Sequence, residues 1–319
     1  MPIAFVFPGQ GSQAVGMGRD LADAFAPARH VFQEVDEALK QNLSKIMWEG
    51  PQEELTLTAN TQPALMAMSV AVVRVLEAEG GFDLAKSVSL VAGHSLGEYS
   101  ALTAARAFDL PTAARLLRLR GEAMQKATPP GTGAMAALLG AELDQAKAIC
   151  AKAATDPETG KTEVVEAAND NGGGQVVISG AKAAVERAIE IAKAEGVKRA
   201  MLLPVSAPFH CALMAPAADA MAEALAKAAL AAPAVPVVAN VTAAPVVAPA
   251  EIRDLLVKQV TGTVRWRECV AAMAAEGCDR FVEIGAGKVL TGLMKRNAPA
   301  ATASAINTPA DVEAFLKSL

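Results

Sequence analysis

The chain has 319 residues, 52% of them hydrophobic and only 4% aromatic, and a formal net charge of −5 at pH 7. That length accommodates one large α/β domain or a core carrying a small insert, and the composition suits a soluble, helix-rich enzyme rather than a fibrous or disordered chain. The acidic balance and the absence of any Lys/Arg-rich run argue against nucleic acid as a main partner, and no apolar run reaches the ~18 residues of a membrane-spanning helix.

The segment Ile3–Phe7 reads as a short buried strand ended by Pro8-Gly9. The opening residues lack the cationic region of a signal peptide. A long helical stretch is expected around Leu21–Lys40, then a Pro-punctuated region, then a helix near Gln62–Glu79. The β-branched run Ser87-Val88-Ser89-Leu90-Val91 precedes Gly93-His94-Ser95-Leu96-Gly97, and Leu96 to Arg106 reads as helix. Another helix runs from Pro111 to about Ala127, and Pro129-Pro130-Gly131-Thr132-Gly133 breaks the pattern as a boundary.

Beyond that boundary the rhythm changes. Ala134–Leu139 reads as a strand, Glu142–Ala154 as a helix, and Val164–Ala168 and Gln175–Ser179 as strands. A helix over Ala181–Glu195 and a strand over Lys198–Val205 complete a βαββαβ order of about seventy residues, the ferredoxin-like pattern. An inserted small domain over residues 129–200 is therefore expected, flanked by the two parts of a core at 1–128 and 201–319. From Ser206 the chain returns to mixed α/β, with a strand at Arg280–Ile284 and a helix near Val289–Arg296. Cys150, Cys211, Cys269 and Cys278 lack C-x-x-C spacing, so neither a zinc site nor a disulfide framework is indicated, and a reduced, cytoplasmic setting is expected.

Glycine-x-serine-x-glycine between a strand and a helix is the pattern of a nucleophile elbow. Its glycines allow a turn too sharp for side chains, which pushes the serine oxygen out at the tip. The new helix begins beside it, so backbone N–H groups and the positive end of the macrodipole favour a developing oxyanion.

A serine hydroxyl needs a base, most often histidine, and this chain has three. His94 adjoins Ser95 and should point away from its oxygen, in a packing or orienting role. His30 lies opposite the apolar face formed by Leu21, Phe25, Ala28, Phe32, Val35 and Leu39. That leaves His210, in Ala207-Pro208-Phe209-His210-Cys211, a loop after an expected strand. Cys211 is a rival nucleophile, but neighbouring side chains diverge, and a buried structural thiol fits better. No acid lies near His210 in sequence. Asp279 and Glu283 are candidates only by position, and a backbone carbonyl could equally orient the imidazole.

Arg120 supplies the substrate clue. On a helical wheel, Ala113, Leu116, Leu117, Ala123, Met124 and Ala127 form one face with Arg120 at its centre, whereas Arg115, Arg118, Glu122 and Lys126 point away. A buried guanidinium must be paired. Its partner is either an internal carboxylate or a substrate carboxylate, which the planar fork can grip bidentately. Gly9-x-Gly11-x-x-Ala14 fits a dinucleotide fingerprint only superficially, since Pro8 opens the turn and no ribose-binding acid follows. Such a turn could instead bring a backbone N–H to the oxyanion. Gly285-Ala286-Gly287-Lys288 fails the Walker A spacing and reads as a strand-end turn.

Taken together, these segments resemble the malonyl-CoA:acyl carrier protein transacylases, the malonyltransferases of bacterial fatty-acid synthesis. The resemblance runs end to end. It rests on Phe7-Pro8-Gly9-Gln10-Gly11-Ser12-Gln13, on Gly93-His94-Ser95-Leu96-Gly97-Glu98-Tyr99 and on Leu119-Arg120-Gly121. It continues through Asn169 with Gln175-Val176-Val177-Ile178-Ser179-Gly180, through Phe209-His210-Cys211-Ala212-Leu213-Met214, and through Glu283-Ile284-Gly285 with Gly287-Lys288-Val289-Leu290. Ala286 departs from the proline expected between the last two glycines.

The resemblance implies an α/β-hydrolase-like core with a ferredoxin-like insert. It implies that Ser95 carries a malonyl ester, that His210 is its base and that Arg120 binds the malonyl carboxylate. The N–H groups of Gln10 and Leu96 would form the oxyanion hole, and the main-chain carbonyl of Gln259 would orient His210. Phe209, Asn169 and Met124 join Arg120 as expected substrate contacts. Phe209 and Leu96 match the residues that accompany malonyl rather than methylmalonyl selection. The implied partners are malonyl-CoA and an acyl carrier protein, with no metal or redox cofactor and neither nucleic acid nor membrane. Lys288, Lys295 and Arg296 are candidates for a basic patch facing the acidic carrier. A serine esterase or thioesterase using the same elbow is the alternative, and a carrier-binding subunit with a vestigial site is a further one.

Overall fold

The computed structural model describes residues 2–205 and 207–319. Met1, where the first expected core segment begins, and Ser206, where the chain was expected to leave the insert, lie outside the described residues. The fold is mixed α/β and contains two sheets.

The larger sheet has six strands: β1 (Ile3–Phe7), β2 (Leu90–Gly93), β7 (Val237–Val238), β8 (Pro245–Val246), β9 (Arg280–Ile284) and β10 (Thr302–Ile306), in the order β10-β9-β1-β2-β7-β8. All neighbours pair in parallel except the edge pair β7 and β8. A parallel sheet covered on both faces needs strands that are apolar throughout. In β1, all five residues are buried, and successive side chains enter different cores. Phe5 and Phe7 join the large cluster around the helix Thr58–Gly80, while Ala4 and Val6 pack with Trp266, Val270 and Met273 on the other face.

The smaller sheet contains β3 (Gly133–Leu139), β4 (Val165–Asp170), β5 (Gln175–Ala181) and β6 (Arg199–Leu202), all antiparallel in the order β4-β5-β3-β6. The helices Leu143–Ala153 and Lys182–Ala194 cover one face and share a separate core with Ala136, Leu138, Val176 and Ile178. Met135, the residue before Ala136 in β3, belongs to the large core instead. At the end of β4 the smaller sheet is tied to Val264 and to the helix Trp266–Ala275. There Asp170 N–H donates to Val264 O at 2.9 Å, and Asp170 pairs with Arg267 at 2.8 Å.

Several boundaries differ from the sequence expectation. The stretch Leu21–Lys40 is two helices, Arg19–Ala24 and Ala26–Leu39, separated by the extended Phe25. Pro27 is the cause: within one continuous helix it would have no N–H to donate and would crowd the carbonyl four residues back, but it fits the first turn of a new helix. The run before the elbow is not a strand from Ser87. Residues Leu84–Ser87 form a helical turn capped by Asp83, and β2 begins only at Leu90. The helix near Gln62 starts at Thr58, which places its polar first turns inside the protein.

Candidate active site

Strand β2 runs directly into the elbow, and the helix Gly97–Ala104 leaves it. Ser95 sits between them with a left-handed φ of 55°. Both flanking glycines are required by space. A Cβ on Gly93 would lie 1.9 Å from the Gly97 carbonyl carbon, and a Cβ on Gly97 would lie 2.3 Å from Phe7 O. The close approach at Gly97 brings the loop after β1, with Gln10, against the serine. Asn240 holds the turn from behind. Its Nδ2 donates to Gly93 O at 2.7 Å, and its Oδ1 accepts from Ser95 N–H at 2.8 Å. Ser95 is thus held in a strained conformation by its surroundings rather than by its own conformational preference.

His210 lies beside it, buried, also at a left-handed φ of 58°. Its Nδ1 is 2.9 Å from the main-chain oxygen of Gln259. A carbonyl can only accept, so Nδ1 carries the proton and Nε2 is free to accept. Ser95 Oγ–H donates to that Nε2 across 2.8 Å. Burial, reinforced by the nearby Arg120 guanidinium, lowers the His210 pKa from 6.5 to about 3, so the ring is neutral at ordinary pH. A neutral imidazole in this tautomer is able to take the serine proton.

Arg120 is 1% exposed, at the centre of the buried face of the helix Leu110–Lys126. Its Nη1 donates to Gln62 Oε1 at 2.9 Å, and its Nη2 donates to Gln259 Oε1 at 2.9 Å and to Ser95 Oγ at 3.2 Å. The Tyr99 ring lies 5.8 Å beneath the guanidinium carbon. These hydrogen-bond partners are two amide oxygens and a hydroxyl, and Nε has no partner among the described residues. The internal carboxylate weighed as a direct partner for this guanidinium does not appear among its hydrogen bonds. Burial lowers its pKa, but a guanidinium starts high enough to remain cationic.

A cavity of about 80 Å³ is lined by Gln10, Gln62, Ser95, Leu96, Arg120, Met124, Met135, Asn169, Phe209 and His210, with His94 at its edge. All the expected site residues except Gln259 line it, and Gln259 lies immediately behind through its bonds to Arg120 and His210. Asn169 is turned toward it at a β-bulge between Ala167 and Asn169. Neither the Gln10 nor the Leu96 N–H donates to another described residue.

The other candidates fall elsewhere. His94 is half-buried and donates from Nε2 to Asn171 Oδ1 at 2.9 Å, tying the elbow to the turn after β4. His30 is exposed. Cys211 is buried, its thiol lies 3.2 Å from Pro208 O, and burial pushes its pKa up to about 11. Asp279 and Glu283 do not orient the histidine. Glu283 accepts from Leu290 N–H, Thr291 N–H and the Thr291 hydroxyl at a helix start, and Asp279 is exposed beside Pro2. The glycine turns at residues 9–11 and 285–287 both follow strands of the larger sheet.

Sequence reasoning missed Asn240, Gln62 and Glu98. Asn240 follows a strand of two residues, too short to show a period. Gln62 had a signal: Asn60, Thr61 and Gln62 are polar residues directly before a stretch, residues 63–73, that is apolar but for Ser69. Among the described residues no cluster of His, Cys, Asp and Glu could hold a metal ion, and no helix is long and apolar enough to cross a membrane.

Residues 4–308 match the acyl transferase domain family. The chain belongs to that family of acyl transferases, and within it to the malonyl CoA-acyl carrier protein transacylases. It is 50% identical over 314 residues to the transacylase of that name from Escherichia coli K12, covering 98% of each chain. The acyl-carrier-protein S-malonyltransferase of Bartonella henselae superposes with a TM-score of 0.95 at 53% identity, over 100% of this chain and 99% of that one. A malonyl-transacylase in complex with its type II PKS acyl-carrier protein superposes at 0.94 with 44% identity, over the whole of both chains.

Proposed function

We propose that this acyltransferase moves the malonyl group of malonyl-CoA onto the phosphopantetheine thiol of an acyl carrier protein, through a malonyl ester on Ser95. The observation that carries the reading is the convergence on one oxygen. Ser95 Oγ lies 2.8 Å from the acceptor nitrogen of a neutral histidine and 3.2 Å from a buried guanidinium that hydrogen-bonds no carboxylate. The first relation activates a nucleophile, and the second reads an acid a few bonds from the ester it forms.

In the first half-reaction the malonyl carboxylate takes the Arg120 fork. Ser95 Oγ attacks the thioester carbonyl as His210 Nε2 takes its proton. Oxyanion charge falls to the N–H groups of Gln10 and Leu96, and the C–S bond breaks as His210 returns the proton to the CoA sulfur. In the second, the carrier's pantetheine thiol gives its proton to His210 and attacks the ester, and Ser95 recovers a proton as it leaves. The Gln259 carbonyl supports the imidazolium that forms in each step. The small cavity, closed by Phe209, Met124 and Asn169, suits a short diacid better than a long acyl chain.

The architecture behind this reading is an α/β-hydrolase-like core, residues 1–128 and 201–319, carrying a ferredoxin-like unit at 129–200. Two separate cores and the βαββαβ order of the insert support it. Lys288, Lys295 and Arg296 are exposed, Arg296 donates to Gly173 O at 3.3 Å in the turn after β4, and the three would meet the acidic carrier. Charge reversal there should slow carrier transfer while leaving malonyl loading intact, and unchanged transfer would remove the patch from the reading.

Brief mixing with malonyl-CoA or acetyl-CoA, followed by intact and peptide mass spectrometry, tests the function. A malonyl adduct on the Ser95 peptide, much weaker with acetyl-CoA, is expected. Free CoA without an adduct would instead indicate a hydrolase, and neither product would defeat the reading.

A further inference from the structure

Glu98 is buried in the first turn of the elbow helix, yet the chemistry above gives it no part. Its Oε2 accepts from Asn240 N–H at 3.0 Å and from Gln259 Nε2 at 2.8 Å. The same Gln259 nitrogen donates to Ser95 O at 3.0 Å, and the other end of that amide, Oε1, accepts from Arg120 Nη2 at 2.9 Å. A carboxylate only accepts, so it demands the amide nitrogen; a guanidinium only donates, so it demands the amide oxygen. Glu98 and Arg120 therefore dictate the same orientation of the Gln259 amide from opposite ends. Turned over, the amide would set oxygen against carboxylate and N–H against guanidinium.

From this geometry we infer that Glu98 is a positioning residue for acid-bearing substrates: it holds Gln259 Nε2, so that Gln259 Oε1 keeps the Arg120 guanidinium aimed at the cavity beside Ser95. The inference rests on Arg120 as the reader of the malonyl carboxylate and adds what holds that reader in place. Gln62 takes the other terminal nitrogen, so the fork is held at two points, and Nε has no partner among the described residues. Burial pushes the Glu98 carboxyl up to about 7, with Asn240, Gln259 and Arg120 opposing that rise. A carboxyl kept at that cost in the interior is consistent with a positioning task.

A role confined to bracing the elbow predicts something else, namely equal loss of every acyl donor. The test is therefore a ratio. Ser95 loading by malonyl-CoA and by acetyl-CoA would be timed by intact mass spectrometry in the wild type, Glu98→Gln and Glu98→Ala, with thermal midpoints recorded for each. Glu98→Ala frees the Gln259 amide and should lower the malonyl-to-acetyl loading ratio by about 10-fold or more. Glu98→Gln can still accept from both Asn240 N–H and Gln259 Nε2 through its oxygen, and should hold the ratio within about 3-fold of wild type. If the alanine variant does not fold, Glu98→Asp replaces it, because the shorter side chain cannot span to Gln259; the same fall in ratio is expected. Parallel loss of both donors, or a glutamine variant as unselective as alanine, would overturn the inference. A wild type that forms no malonyl ester on Ser95 would fail the proposed function instead, so the two failures are separable.

Discussion

His210 takes its orientation from a peptide bond: its Nδ1–H donates to the main-chain oxygen of Gln259 at 2.9 Å, where other serine enzymes place an acid. A side-chain substitution at 259 cannot delete that acceptor. Gln259→Ala should therefore spare acetyl loading, within about 10-fold, while weakening malonyl loading further because Arg120 loses its amide. His210→Ala removes the proposed base and should slow both donors by about 10²–10⁴-fold. Single-turnover rates with each donor check both statements.

Arg120→Lys keeps a positive charge but not the planar fork that grips a carboxylate at two points. Malonyl loading should fall by at least about 10-fold, with acetyl loading changed far less. Arg120→Ala should go further in the same direction. Equal effects on the two donors would make the guanidinium a structural group.

Two buried groups give stability opposite pH slopes. The His210 pKa is held at about 3, below its ordinary 6.5, so its contribution is present above pH 6.5 and is lost as pH falls from there toward 3. The Glu98 pKa is raised from 4.5 to about 7, so its contribution is present below 4.5 and is lost as pH rises through 7. The two losses oppose each other between pH 4.5 and 6.5, so denaturation midpoints should change little there and fall below about 4.5, where only His210 still titrates. Glu98→Gln removes the opposing loss and should steepen the acidic decline between pH 6.5 and 4.5, with midpoints between pH 7 and 9 level.

Gly97→Ala should destabilise the fold by about 2–4 kcal/mol, since its methyl would meet backbone at Phe7 O, which cannot rotate aside. A thermal melt of the variant reads this directly, and a shift within about 0.5 kcal/mol of wild type would show that β1 and the elbow can separate.

Phe209 closes the cavity beside His210. Phe209→Ala should admit an α-methyl group and narrow the preference for malonyl-CoA over methylmalonyl-CoA by about 10-fold, the scale of one methylene in an apolar pocket. Competition between the two donors for Ser95 measures it.

Much of this arrangement was legible in the residues, for identifiable reasons. The elbow announces itself because two glycines must stand at fixed distances from the serine. Arg120 announces itself because a single cation interrupts an apolar helix face. His210 emerged because the chain has so few histidines. The orienting carbonyl of Gln259 has no side-chain signature and came only through resemblance to a family. Asn240 and Glu98 were hidden because their tasks depend on two segments of the chain meeting, which no periodicity records. The break at Phe25 was written in Pro27, but the apolar stripe continues across it and conceals the stop.

The cavity draws Ser95 and Leu96 from the elbow, Arg120 from the helix Leu110–Lys126, and Met135 and Asn169 from strands of the small sheet, whose other face is packed against a core of its own. The small sheet is tied to the elbow by the His94–Asn171 bond, and to Val264 and Arg267 by Asp170. Variation buried behind the small sheet, at a position such as Ile178, can retune which acyl groups enter while every pocket residue stays the same.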